Sequence, residues 1–150
     1  MFHLFKKKTY EGEVVTLKMK AHYSKEETYD HVESVIFDIY TSIDNKKIGS
    51  IDLRLTMNDM MFYYGHVGYH ILEKYRGHGY AYEACLVLMD IARNEYHLNE
   101  LIFTSNPDSF ASIRTIEKLN PVFKGCFKVP YGHPLRDIGE YEKNVYSVLL

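Results

Sequence analysis

Tyr75-Arg76-Gly77-His78-Gly79-Tyr80-Ala81 connects an apolar, strand-like segment to a long segment with helical periodicity. Its two glycines allow backbone angles and close approaches that a side chain would prevent. A loop of this kind at a helix start aims unpaired N–H groups and the positive end of the helix dipole at one point, which favours an anion. Arg76 adds a fork of donors that matches phosphate oxygens. The loop predicts a phosphate site, although an ordinary strand-to-helix turn with a solvated arginine would look the same.

Two better-known phosphate loops do not fit this segment. After Gly77-x-Gly79 the third position of the dinucleotide-binding fingerprint is Tyr82 instead of glycine. The sequence also lacks the Gly-x-x-x-x-Gly-Lys-Ser/Thr pattern of nucleoside triphosphatases. Neither a dinucleotide nor a nucleoside triphosphate is therefore favoured.

The segments around the loop predict strands followed by alternating strands and helices. Period-two alternation predicts strands at residues 14–21, 35–40 and 50–55, with a hairpin through Asp44-Asn45-Lys46-Lys47. A fourth strand is predicted at residues 66–72. Ser24 and Glu27 have capping-box spacing, which predicts one or two helical turns. Helical periodicity at residues 80–98 is followed by an apolar strand at 101–103, a helix starting at Asn106-Pro107-Asp108-Ser109, and strands at 125–129 and 143–150.

Composition limits the class of protein. At 150 residues and 17.7 kDa, we expect one domain spanning residues 1–150. The net charge of −2 disfavours nucleic acid and anionic membranes, and no apolar run approaches the ~20 residues of a membrane span. The first ten residues, MFHLFKKKTY, place their charges after the apolar residues, unlike a signal peptide. Two cysteines are too few for a disulfide framework, so we expect a cytoplasmic protein.

Arg76-x-x-Gly79-x-Ala81 resembles the coenzyme A loop of the GNAT superfamily of acetyl-CoA-dependent N-acetyltransferases. The resemblance extends over about residues 47–119. Residues 48–54 (IGSIDLR) resemble the third strand of the family, and residues 65–71 (GHVGYHI) resemble its splayed fourth strand. Residues 106–112 (NPDSFAS) resemble the start of its last helix.

The resemblance implies an α/β (α+β) fold and a coenzyme. The fold would be a mixed, mostly antiparallel central sheet with helices on both faces and a splay between strands four and five. The coenzyme would be acetyl-CoA, used as a co-substrate without a metal, and the acetyl group would pass directly to a primary amine. The backbone of Tyr69, His70 and Ile71 would pair with the pantetheine arm, and one N–H there would polarise the thioester carbonyl. The pyrophosphate would be held by Arg76, Gly77, His78, Gly79, Tyr80, Ala81 and Tyr82, and the pantetheine would be touched from the last helix by Ser109 and Ser112.

Two features depart from the family pattern. Many members carry a tyrosine four residues after the Ser112 position, which protonates the leaving thiolate, but this chain has Ile116. The family also carries two helices between its first two strands, where only a short one fits between Tyr23 and Glu33. The second departure predicts a more open acceptor site, or one completed by another subunit.

Other residues are candidates for the catalytic base and acid. His66 is predicted as the base, because its pKa lies near neutrality, and Tyr146 in the last strand is predicted as the replacement acid. Structural roles remain open for both residues. His66 and His70 are four apart on one strand, but no third ligand accompanies them, so no metal site is predicted.

Two functions remain compatible with the sequence. The first is an N-acetyltransferase acting on a primary amine of a small molecule or a peptide. The alternative is a non-catalytic acyl-CoA-binding or regulatory module of the same fold. The absence of tyrosine at residue 116 favours this alternative. Aromatic content of 15% leaves a homodimer possible, through an exposed aromatic surface.

Overall fold

The computed structural model describes residues 8–150, so most of the N-terminal segment that was compared above with signal peptides lies outside the described residues. The strands are β1 (Thr9–Glu11), β2 (Val15–Tyr23), β3 (Ser34–Thr41), β4 (Lys47–Arg54), β5 (Val67–Ile71), β6 (Glu100–Ser105), β7 (Val122–Lys128) and β8 (Glu142–Leu149). The helices are α1 (Tyr80–Asn94), α2 (Phe110–Glu117) and α3 (Pro134–Asp137), with single 3₁₀ turns at Met61–Tyr63 and Glu73–Tyr75.

The first five strands form one antiparallel sheet in chain order. Each strand pairs with the strand before it in the chain, so no connection crosses over a neighbouring strand. Alternation along the strands separates two faces: Leu17 pairs with Ile39 on the apolar face, whereas Lys18 pairs with Asp38 on the polar one. The remaining strands form a second antiparallel sheet in the order β6-β8-β7.

Hydrogen bonds join the two sheets next to the start of β5. The backbone N–H of His66 donates to the Ile102 carbonyl at 2.7 Å, and the Ile102 N–H donates to Nδ1 of His66 at 2.8 Å. Within residues 8–150, no strand ladder continues this contact, so β5 and β6 diverge beyond it. This divergence is the predicted splay, and it falls between β5 and β6 because the short β1 adds one strand to the count.

A single apolar cluster occupies one face of the first sheet. It contains Phe37, Ile51 and Leu53 from the strands, Leu88 from α1, and Ile116 from α2. Both long helices therefore bury their apolar sides against the same face. Among the described residues, neither covers the polar face, where Ser50 is half-buried and His70 is exposed.

Some local predictions differ from the structure. Ser24 and Glu27 make the capping-box hydrogen bonds, but the segment forms turns without a helix, because no apolar stripe follows them. Helix α1 ends at Asn94, four residues before the predicted end at residue 98. Strand β1 and the single-turn helix α3 were not predicted, since each has too few residues to show a period.

Candidate active site

The divergence of β5 and β6 opens a groove with a volume of about 830 Å³. This lies within the range of ligand and cofactor sites, which run to roughly 1,000 Å³. Strand β5, the loop before α1 and one side of α2 supply its walls. The residues lining it are Tyr69, His70, Ile71, Tyr75, Arg76, Gly77, Gly79, Tyr80, Ala81, Ser109, Phe110, Ala111, Ser112, Arg114, Thr115 and Lys118.

The glycine loop adopts backbone angles that favour glycine. Gly77 has φ of +82° and Gly79 has φ of +76°, and Gly79 is the N-cap of α1. A Cβ atom at either position would meet no atom within 4 Å, so both glycines border open space. The first amides of α1 have no partners within the helix and lie at the mouth of this space. The loop therefore forms a cradle suited to an anion.

Arg76 ties the loop to the end of β5. Its Nε donates to the Ile71 carbonyl at 2.8 Å. One of the five guanidinium donors is thereby used for the fold, and the rest remain for a ligand. Arg76 thus both positions the loop and supplies positive charge beside it.

Helix α2 forms the opposite wall and supplies hydroxyl groups. Ser109 is the N-cap of α2, but its side chain makes no capping hydrogen bond. The Ser112 hydroxyl lies 3.2 Å from the hydroxyl of Tyr69. Burial raises the pKa of Tyr69 above its ordinary value, and the hydrogen bond with Ser112 opposes this. Tyr69 therefore keeps its proton at neutral pH.

Sequence analysis missed two cations on the same wall. Arg114 and Lys118 line the groove from α2. Their spacing of four residues places them on one side of a helix, a signal present in the sequence. Together with Arg76 they make the groove locally positive in a chain whose net charge is −2.

Most of the residues predicted to hold the coenzyme are brought together by this groove. His78 and Tyr82 are the exceptions, since they belong to the loop and to α1 but do not line the groove. His78 is exposed, and its ring lies 5.7 Å from the ring of Tyr80.

His66 lies at the point where the sheets meet and does not line the groove. Its Nδ1 is occupied by the Ile102 N–H, and burial lowers its pKa. The imidazole therefore holds β5 to β6 in its neutral form. This geometry argues against the predicted role of base.

Tyr146 is also separated from the groove. It is buried, its ring packs on Phe123 at a centroid distance of 5.3 Å, and it lines a different cavity together with Ile113 and Glu117. Those two residues lie on another side of α2 from Ser112 and Thr115, so the helix stands between Tyr146 and the groove. The predicted role of Tyr146 as the acid is not supported by this position.

A charged cluster lies on the polar face, beside the closed end of the groove. Asp52 of β4 pairs in register with Gly68 of β5, and its Oδ2 lies 3.6 Å from Nη2 of Arg54. Burial raises the pKa of Asp52, the nearby Arg54 opposes this, and Asp30 adds to it. Arg54 also donates to the Gly65 carbonyl at 3.1 Å and lies over the ring of Tyr64.

Cys85 lies in the apolar cluster. Burial raises the pKa of the Cys85 thiol to about 12, so this residue is a packing group at neutral pH. In the described part of the chain, no three His, Cys, Asp or Glu side chains are grouped as metal ligands. No helix of residues 8–150 has the length and apolar character needed to cross a bilayer.

Most of the sequence matches the model of a known protein family. Residues 4–120 match the model of the acetyltransferase (GNAT) domain. The chain belongs to the GNAT acetyltransferase family. No curated protein sequence matches the chain significantly.

Solved GNAT structures share the fold. The GNAT-family acetyltransferase of Bacillus anthracis has a TM-score of 0.61 and 24% identity over 76% of this chain, and this chain spans 65% of that protein. RimL, a ribosomal L7/L12 alpha-N-protein acetyltransferase solved with coenzyme A, has a TM-score of 0.68 and 12% identity, covering 95% of this chain and 98% of its own. A Salmonella typhimurium acetyltransferase that modifies the N-terminal serine of L7/L12 has a TM-score of 0.60 and 17% identity. The match covers 78% of this chain and 64% of that protein.

Proposed function

We propose that this protein transfers the acetyl group of acetyl-CoA to a primary amine. The observation that carries the proposal is the groove between β5 and α2, which begins at the glycine cradle before α1 and ends beside Tyr69. Acetyl-CoA supplies the activated acetyl thioester. Residues 1–150 would act as one acetyltransferase domain, and a cytoplasmic location fits the cysteine count.

The residues present fit this coenzyme. Gly77 and Gly79 leave open the space that a pyrophosphate needs, and the amides at the start of α1 point into it. Arg76, Arg114 and Lys118 supply cations for a ligand with several phosphates. The edge of β5 from Tyr69 to Ile71 has no strand partner on the groove side among the described residues. The backbone groups of Tyr69 and the N–H of Ile71 are therefore available to the amides of the pantetheine arm, whereas the Ile71 carbonyl is held by Arg76.

The acid for the leaving thiolate is assigned to Tyr69. Ile116 cannot donate a proton, whereas the Tyr69 hydroxyl lines the groove beside Ser112 and keeps its proton at neutral pH. Its position on β5 brings it to the same wall of α2 on which the family tyrosine would stand. The Ser112 hydroxyl can then return a proton to Tyr69.

A coupled assay tests the proposed function. Purified protein is mixed with acetyl-CoA and with each of spermidine, lysine, kanamycin and a peptide with a free N-terminal serine, and free thiol is followed with mass detection of the acetylated amine. We expect saturable release with at least one acceptor. Saturable coenzyme binding without acetylation of any amine would instead favour the non-catalytic acyl-CoA-binding module.

A homodimer also belongs to this proposal. Strand β7 is an edge strand that exposes Val122, Phe123 and Phe127. An exposed apolar edge is suited to pairing with a second copy. Sedimentation of the purified protein at several concentrations would reveal such a dimer.

A further inference from the structure

Asp52 lies against the backbone of β5 because residue 68 has no side chain. A Cβ atom at Gly68 would come within 2.7 Å of Oδ1 of Asp52, a distance that real Cβ atoms do not reach. Gly68 directly precedes Tyr69, at the end of the groove opposite the glycine cradle. The carboxylate is therefore beside the position that the thioester end of a coenzyme occupies when its phosphates lie in the cradle.

The approach of an acceptor is open on the Asp52 side of the sheet. Helices α1 and α2 bury their apolar sides on the opposite face, and Asp52 shares the polar face with Ser50 and His70. Its side chain is 32% exposed, so an amine can reach it. The two helices that the family places between its first strands have no counterpart in residues 24–33, which form turns.

Charged groups approach Asp52 from two segments of the chain. Arg54 lies on the same strand, and Asp30 approaches from the turn segment between β2 and β3. Arg54 is held by the Gly65 carbonyl and the Tyr64 ring as well as by Asp52. Asp52 and Asp30 together favour a cation at this position.

We propose that Asp52 is the general base of the transfer and that it binds the acceptor as an alkylammonium. This inference rests on the proposed acetyltransferase function. It assigns the acceptor to the class of amines that are protonated at neutral pH, such as polyamines, lysine-like side chains and peptide N-termini. It also replaces His66 as the base, since Nδ1 of that residue is occupied by Ile102.

The ammonium gives one proton to the Asp52 carboxylate, which leaves a lone pair on nitrogen. The nitrogen forms a bond to the carbonyl carbon while the carbon–sulfur bond breaks, and the sulfur leaves with the bonding pair. Tyr69 donates a proton to the sulfur, and the second proton of the nitrogen restores Tyr69 through Ser112 or solvent. The products are the amide, the free thiol and one proton, which Asp52 releases to solvent.

The test compares Asp52→Asn with Asp38→Asn. Asp38 is a matched control, because it lies on the same face of the neighbouring strand and pairs with Lys47 at 3.2 Å. Turnover is measured from pH 6 to 10 with whichever of spermidine, lysine, kanamycin and the seryl peptide the wild type acetylates, and acetyl-CoA affinity is measured by calorimetry. Asp52→Asn should lower kcat/KM for the amine about 10²-fold or more at pH 7 and leave coenzyme affinity within twofold.

The pH dependence separates a base from a structural residue. The deficit of Asp52→Asn should shrink as the pH approaches the pKa of the acceptor ammonium, about 10 for a lysine-like amine, because solvent then deprotonates it. Asp38→Asn should follow the wild-type profile. Wild-type turnover by Asp52→Asn, or a deficit that stays constant with pH, would overturn the inference while leaving the proposed function intact. A wild type that binds acetyl-CoA but acetylates none of the amines would overturn both.

Discussion

The Asp52 side chain shows how position in a sheet changes the chemistry of a carboxyl group. Its pKa is raised by burial against β5, so the folded state disfavours the ionised form. For a group whose folded-state pKa is raised, the stabilising contribution is complete below the unfolded pKa of about 3.9 and is lost as the pH rises through the folded-state pKa. At pH 7 the ionised carboxylate therefore costs stability.

Asp52→Asn should accordingly melt at a higher temperature than the wild type at pH 7. Asparagine has the shape of the protonated acid and carries no charge that burial would penalise. The difference in melting temperature should narrow as the pH falls toward 4. A variant that melts below the wild type at pH 7 would mean that the contact with Arg54 outweighs the cost of burial.

The Tyr69 hydroxyl gives a second prediction for a single residue. Tyr69→Phe should lower kcat about 10²-fold while acetyl-CoA binds with nearly unchanged affinity, because the ring and the β5 backbone remain and only the proton donor is lost. Tyr146→Phe removes a hydroxyl from the other side of α2 and should turn over at the wild-type rate. The reverse pattern of kcat values would restore Tyr146 as the acid.

At the junction of β5 and β6 the His66 side chain supplies the acceptor for the Ile102 N–H. His66→Ala should destabilise the protein by about 1–3 kcal/mol, the cost of leaving a buried donor unpaired. In His66→Asn the side-chain oxygen stands where Nδ1 stood, so most of the stability and the turnover should be retained. Urea unfolding of the two variants measures the difference. If His66→Asn is stable but inactive, the imidazole takes part in catalysis.

The glycine cradle could be predicted because its signal is local. Glycine at residues 77 and 79 predicts the positive φ angles that the loop adopts. The change from a period of two to a helical period locates the start of α1. The partners of His66 and Tyr146 could not be predicted in the same way. Ile102 meets His66 across 36 residues of chain, and α2 separates Tyr146 from the groove only once the second sheet has formed.

The position of Asp52 beside the groove also could not be predicted from the sequence. Its alternation with Ile51 and Leu53 marks it as pointing away from the core, but nothing local indicates that it rests on Gly68. That contact depends on the register of β4 against β5. A one-residue change in this register would turn the carboxylate to the other face.

For the whole molecule, coenzyme binding and stability are linked. The groove between the sheets exists only in the folded state, so acetyl-CoA at about 100 times its dissociation constant should stabilise the protein by about 2.7 kcal/mol. For a chain of this length that corresponds to a rise in melting temperature of about 5–10 °C. NAD at the same concentration, which lacks the pantetheine arm, should have a smaller effect. A melt that moves with NAD and not with coenzyme A would contradict the assigned ligand.

The most direct test of the account is calorimetric titration of acetyl-CoA into the wild type, Gly79→Glu and Gly139→Glu. Both glycines have positive φ, and a Cβ atom at either would meet nothing within 4 Å, so the two substitutions carry similar backbone strain. Of the two, only Gly79 lines the groove, where the glutamate adds bulk and negative charge in the phosphate cradle. We predict saturable binding by the wild type and by Gly139→Glu, and none by Gly79→Glu. Equal affinity in all three proteins would show that the coenzyme is not held by this loop.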